Sequence, residues 1–293
     1  MHRNNVLSVI ALTIVSIGFV LFFYIDHPPH TRETLTHFPH DPGVQYTDAT
    51  TSLKVLLLED EDEYTLEWDT TSTLDEVAYL RHDISLLFED GRLKDTMSSW
   101  KEESEAISMN EKINGEDSGH YEAISFHHSE LHYPNDEIKS RQKMSYDELY
   151  IIDSPFTPLT SFKVPASEED IESKRILDYI VKQQLTYVWE ELLEYYNIPK
   201  DTYKKIPLTE LHMYETKPLP SLDEKQTTKV LGSIWEGIYK HYVLGVSKHE
   251  GEVIDPIGSS VPLILLPHEN DHFIVVFKTA EGERVQLLQT LSP

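Results

Sequence analysis

Between Ile124 and Tyr133 the chain reads ISFHHSELHY, its densest run of side chains able to bind a metal or move a proton. On a β-strand alternate residues share a face, so His128, Glu130 and His132 point the same way. Imidazole nitrogens and carboxylate oxygens are zinc-type ligands. Same-face neighbours lie about 6.5–7 Å apart, which puts His128 and His132 roughly 13 Å apart in a regular strand. One ion held by all three therefore needs a bulge. On a helix the two histidines would meet as an i,i+4 pair. The zinc-protease pattern, however, wants a glutamate directly after the first histidine, and Ser129 stands there. A divalent-metal site completed by a distant His120, His268 or His272 is one reading of the segment. A row of hydrogen-bonded histidines on a half-exposed sheet outweighs it.

Three further groups carry less. His268, Glu269, Asp271 and His272 form a polar loop between two apolar strands. The turn-rich run Asp255–Ser260 ends in two hydroxyls, but a nucleophilic serine needs a base and an oxyanion site that spacing does not supply. Glu190, Glu191 and Glu194 beside Trp189 have the composition of a sugar-hydrolase acid pair, yet on an amphipathic helix they read as its solvated face. No GxSxG, P-loop or dinucleotide fingerprint is present, and there is no cysteine.

The formal net charge is −26. Such a surface repels nucleic acid, so direct binding to it is not expected, and it favours cationic partners. Without cysteine there is no disulfide framework, and stability must come from the core.

The elements that would position these groups begin with Val6–Tyr24 (VLSVIALTIVSIGFVLFFY), which has no charge and no proline. At about 1.5 Å per residue it is roughly 28 Å long, enough to cross a hydrocarbon core of about 30 Å. Bulky residues follow it where a signal-peptide cleavage site needs small ones. It reads as a single-pass transmembrane signal-anchor over 6–24 in contact with the lipid bilayer. Arg3 before it places residues 1–5 in the cytoplasm and the bulk of the chain outside the cell membrane, in a bacterial cell envelope. His27–Thr51 carries four prolines and four histidines, giving an extended linker over 25–52. An acidic extracytoplasmic domain then fills 53–293, with a subdomain break near 153–166 marked by Pro155, Pro158 and Pro165.

Within that domain Leu53–Leu58, Tyr64–Trp68, Ile84–Phe88, Tyr121–Tyr133 and Tyr146–Ile152 read as strands, and Arg92–Ile113 as a helix. Glu59–Glu63 reads as a solvated acidic turn. Ser167 and Asp170 open a helix with Leu177, Val181, Leu185, Val188, Leu192 and Tyr196 on one face. Ser221 and Glu224 suggest a second, lined by Val230, Ile234, Ile238 and Tyr242 and stopped at Gly245. Val261–Leu266, Phe273–Phe277 and Val285–Leu291 close the chain, the last two as a hairpin. Segregated strands and helices give an α+β expectation: a β-rich first half, two amphipathic helices and a C-terminal β-hairpin.

Three functions fit this reading. The first is a non-enzymatic binding or accessory module for a protein or cell-envelope partner. The others are a zinc-type sensor or carrier using His128, Glu130 and His132, and an envelope hydrolase using the same residues.

Overall fold

The computed structural model describes residues 38–56, 64–154, 157–247, 253–269 and 271–291. Strands β1 (Tyr46–Leu56), β2 (Tyr64–Glu89), β3 (Arg92–Gly115), β4 (Gly119–Tyr133), β5 (Glu137–Ser154) and β6 (Thr157–Phe162) form one antiparallel sheet in the order β1-β2-β4-β5-β6, with β3 on the other edge of β2. The first half of β2 pairs with β1 and the second half with β4, while β3 follows it along both halves. The register breaks between Thr73 and Ala78, and there the ribbon folds over on itself. Thr70 and Ser85 of the same strand consequently hydrogen-bond at 3.1 Å.

This fold brings β1 over β5 and nearly closes a barrel. Among the described residues no ladder joins those two strands. Side chains stitch the seam: the Leu53 N–H donates to Asp147 Oδ2 at 2.7 Å, and Thr51 Oγ1 meets Ser145 Oγ at 2.6 Å.

The side chains inside the barrel come in layers. At one end lie Leu53, Tyr64, Leu66, Trp68, Leu87, Tyr121, Ala123 and Leu149. At the other sits a small cluster of Val44, Leu74, Ala78 and Leu131. Between them is a belt of buried polar residues. The outer face of the same strands presents Ile84, Leu86, Phe88, Ile124, Phe126 and Met144 to a second layer.

That layer starts with helix α1 (Glu168–Tyr195), opened by a Ser167–Asp170 capping box. Strand β7 (Tyr203–Pro207) and a 3₁₀ segment over Leu208–Glu215 follow. Helix α2 (Glu224–Ile238) is capped by Asp223 and Gln226 and runs into a π turn at Tyr239–Val243. Gly245 ends it with φ +88°, a conformation that suits glycine. The short strands β8 (Val246–Ser247) and β9 (Val253–Ile254) pair with each other. Strands β10 (Leu263–Pro267), β11 (His272–Lys278) and β12 (Arg284–Thr290) join β7 in a four-stranded antiparallel sheet ordered β12-β11-β10-β7. Its alternation decides what it packs on. Ile264, Leu266, Phe273, Val275 and Phe277 face the main core with α2's Ile234 and Trp235. Leu263, Leu265, Ile274 and Val276 face Leu192 and Leu193 of α1.

These findings correct the α+β expectation. Strand makes up 54% of the structure and the dominant element is the barrel-like sheet. Arg92–Ile113 is strand β3, not a helix: it pairs with β2 along its length, and Met97, Ile107 and Met109 are buried against the barrel interior. Its many Glu, Lys and Ser residues occupy the exposed side of an outer strand, where pairing overrides helix propensity. The C-terminal hairpin is the edge of a larger sheet. The second helix is capped by Asp223, not Ser221, which has φ +64°. The barrel begins at Tyr46, inside the stretch expected as linker, and β6 occupies the stretch expected as a subdomain break. Against the expected transmembrane signal-anchor, no helix among the described residues is long and apolar enough to cross a membrane. Val6–Tyr24 and the acidic turn Glu59–Glu63 lie outside the described residues.

Candidate functional site

The row weighed as a metal site lies on β4, with His128, Glu130 and His132 on the outer side of the barrel. His128 is buried at 1% exposure beside Phe126, with ring centroids 6.2 Å apart. Glu130 is also buried, and its Oε2 stands 3.7 Å from Nε2 of the half-exposed His132. The His132 ring stacks on Tyr79 at 3.7 Å. His120 is at the far end of the strand, stacked on Tyr150 at 4.1 Å and 3.4 Å from Glu148. His272 belongs to the other sheet, bonded to Asp271 at 2.5 Å and Tyr203 at 3.0 Å. The structure does not bring these histidines together. Among the described residues no group of three or more His, Asp or Glu side chains is arranged to hold a metal ion.

The other early candidates have structural partners. Glu191 binds Lys278 at 2.7 Å and Arg284 at 2.9 Å, tying α1 to the second sheet, so those cations hold its carboxyl below the usual range. Ser260 Oγ accepts the Lys278 N–H at 3.1 Å.

The opposite face of β4 carries a constellation that the histidine row obscured. His127 Nδ1 lies 2.6 Å from Asp83 Oδ2, and His127 Nε2 lies 2.8 Å from Ser145 Oγ. Ser72 Oγ donates to the same Asp83 oxygen at 2.5 Å, and Arg81 hydrogen-bonds Ser72 with its guanidinium 3.6 Å from Asp83 Oδ1. Ser145 Oγ continues to Thr51 at 2.6 Å, and Thr51 to Ser125 at 2.6 Å. Ser125 then reaches Ser85 at 2.5 Å.

Asp83, His127 and Ser145 thus stand in the order of a hydrolase proton relay. Three features set the belt apart from such a relay. Asp83 and His127 are both 0% exposed, and Thr51 also engages the serine oxygen. The Met144 N–H points away from β4, so ladder alternation turns that of Ser145 inward, toward its partner Ser125, and away from any developing oxyanion. Most polar groups of the belt bond to one another, while Arg81 Nε and Asp83 Oδ1 are buried without a hydrogen-bond partner.

A space open to ligand lies on the far side of β5. Its edge is paired at Ser140 by Pro39 and Asp41, and from Tyr150 onward by β6. Between these sections the 3₁₀ segment and the start of α2 leave a cleft of roughly 310 Å³. His40, Arg141, Gln142, Glu215, Lys217 and Glu224 are its charged and polar wall, with Leu231 among its few apolar groups.

Glu215, Gln142, Arg141 and Lys217 are each held in place. Glu215 Oε1 accepts the Met144 N–H at 2.8 Å, and burial raises its carboxyl above the usual range. Gln142 Nε2 donates to the Thr228 carbonyl at 2.8 Å. Arg141 Nη1 donates to His40 Nε2; burial, and then this guanidinium, hold the imidazole below its ordinary range and therefore neutral. Lys217 sits over the Tyr214 ring at 5.1 Å. Two buried atoms of this wall have no hydrogen-bond partner: the donor Arg141 Nε and the acceptor Gln142 Oε1. The sequence offered no sign of the cleft, because its wall comes from four separate stretches of chain.

No protein-family model matches this chain, and no curated protein matches its sequence.

Proposed function

We propose that the protein is a non-enzymatic binding module that holds a small carboxylate-bearing ligand in the cleft beside β5. The observation that carries this reading is the orphaned pair on neighbouring wall residues, Arg141 Nε as donor and Gln142 Oε1 as acceptor. A buried polar group without a partner costs about 1–3 kcal/mol, and a ligand would satisfy these two, both closed to solvent in the structure, once their side chains turn toward the cleft. The cleft volume also falls at the lower end of the range of about 300–1,000 Å³ usual for small-molecule sites.

The wall specifies the ligand's chemistry. Arg141 and Lys217 offer positive charge beside the carboxyls of Glu215 and Glu224, so a carboxylate is received at the guanidinium itself and not by a net field. A guanidinium N–H matches one oxygen of a carboxylate. Gln142 Oε1 then asks for a hydroxyl or amine on the same molecule. A hydroxy or amino acid meets both demands. The neutral His40 behind Arg141 leaves the guanidinium its full charge for this contact.

Isothermal titration of the full chain with L-lactate, L-glutamate, inorganic phosphate and glycerol tests the reading. The two carboxylates are expected to bind, at least about tenfold more tightly than phosphate or glycerol and at least about tenfold more weakly to Arg141→Gln. Equal heats for all four compounds, or unchanged binding in the variant, would contradict it.

A further inference from the structure

Helix α1 is apolar on two faces, and among the described residues only one of them is covered. Val181, Leu185, Leu192 and Leu193 are buried against the rest of the protein. Opposite them, at helical spacings of three, four and seven residues, lie Ile176, Tyr179, Ile180 and Tyr187. They are 45%, 63%, 41% and 74% exposed. Contiguous apolar patches on a surface mark interaction sites, whereas singly scattered apolar residues are ordinary. The patch spans about 16 Å along the helix, the length of roughly three turns.

Its ends are acidic. Glu169 and Glu172 bracket the patch on the N-terminal side, Glu190 and Glu194 on the C-terminal side, and all four are exposed. The cations near these ends are taken up by carboxylates: Arg175 is engaged with Glu172 at 2.6 Å, Lys174 with Asp178 at 3.3 Å, and Lys200 lies 3.7 Å from Glu190. The chain as a whole adds its charge of −26 to this local field. We infer that α1 docks a cationic amphipathic helix of a partner protein, with an apolar centre on Ile176, Tyr179, Ile180 and Tyr187 and basic residues at both ends. The anchors come from packing and the orientation from the bracketing charges. This surface is independent of the cleft beside β5, and the partner leaves α1's buried face untouched.

The test uses the full chain and two synthetic helical peptides of about fourteen residues. Both carry the same leucine stripe; one has lysines at each end and the other glutamates. The lysine peptide is expected to bind with a micromolar dissociation constant, at least about tenfold more tightly than the glutamate peptide, and to weaken as salt rises. An Ile176→Ser/Ile180→Ser variant should lose about tenfold or more in affinity, while Arg141→Gln should leave it unchanged. Tyr187→Ser, on a different turn, gives a second reading should the double variant fold poorly. Equal affinity for both peptides, undiminished binding in both stripe variants, or no binding at about 1 mM would overturn the inference. So would concentration-dependent self-association of the chain that Ile180→Ser abolishes, because the stripe would then belong to a second copy.

Discussion

Asp83 and His127 stand directly opposite each other in the β2–β4 ladder, with Oδ2 and Nδ1 2.6 Å apart and neither side chain exposed. The pair is the hub of the barrel's polar belt. Arg81 and Ser72 are buried with it, so the belt holds only while each member keeps its partners.

Removing one member strands the others. Asp83→Ala leaves Arg81 and His127 buried without their carboxylate and should lower the unfolding free energy by about 3–5 kcal/mol. The combined variant Arg81→Met, Asp83→Leu and His127→Phe replaces the charges with apolar volume and should be more stable than the single change. Urea denaturation of the two decides this. A loss below about 1 kcal/mol in Asp83→Ala would show that the belt is not a coupled network.

His82 links stability to acid. It is 1% exposed, and burial pushes its imidazole down to about 4 from 6.5. Below pH 6.5 the unfolded chain takes up a proton there that the folded chain refuses until about pH 4. Stability should therefore fall as the pH drops through that window, by up to about 3 kcal/mol from this group, and be insensitive to it above pH 6.5. His82→Gln keeps a hydrogen bond within reach of Ser98, 2.9 Å from Nε2 in the native protein. It should flatten the urea midpoint between pH 6.5 and 4 relative to the parent. An unchanged slope would refute the assignment.

Gly115 is required by its neighbour. A Cβ there would fall 2.4 Å from the Tyr64 ring, whose hydroxyl is fixed by the Asp117 carbonyl at 2.8 Å and by Tyr121 at 2.9 Å. Because the ring cannot swing aside, Gly115→Ala should destabilise the fold by about 1–3 kcal/mol in thermal unfolding. A neutral effect would mean that the Tyr64 end of the barrel is loosely packed.

The two histidines at either end of the β4 row should separate sharply. His128→Ala opens space beside Phe126 in the main core and should lower stability by about 2 kcal/mol or more. His132→Ala removes only a stacked ring from a half-exposed site and should stay under about 1 kcal/mol. Equal effects measured by chemical denaturation would contradict the packing described for β4.

Alternation placed His128, Glu130 and His132 on one face of a strand, and β4 has them so. The same alternation put Ser125, His127 and Ser129 on the other face, matched by Arg81, Asp83 and Ser85 on β2. That period-two polar signal is legible in the sequence, but it runs against the expectation that the buried side of a strand is apolar. Arg92–Ile113 misled for a different reason: Glu, Lys, Ala and Met favour helix when isolated, and only pairing with a long bent partner makes them strand. Ser167 and Asp170 marked the start of α1 because a capping box is local chemistry. The cleft was invisible because closure of the barrel alone brings His40 beside Arg141, and the 3₁₀ segment alone brings Glu215 beside Met144.

The central claim is that the cleft beside β5 takes a carboxylate through Arg141. The most direct measurement is the ¹⁵N-correlated resonance of the Arg141 Nε–H, assigned with Arg141→Lys and followed as L-lactate is added to the full chain. A saturable downfield shift of this proton, absent when Gln142→Leu removes the companion acceptor or when glycerol replaces lactate, is the predicted result. A resonance that does not move at saturating lactate would contradict the account.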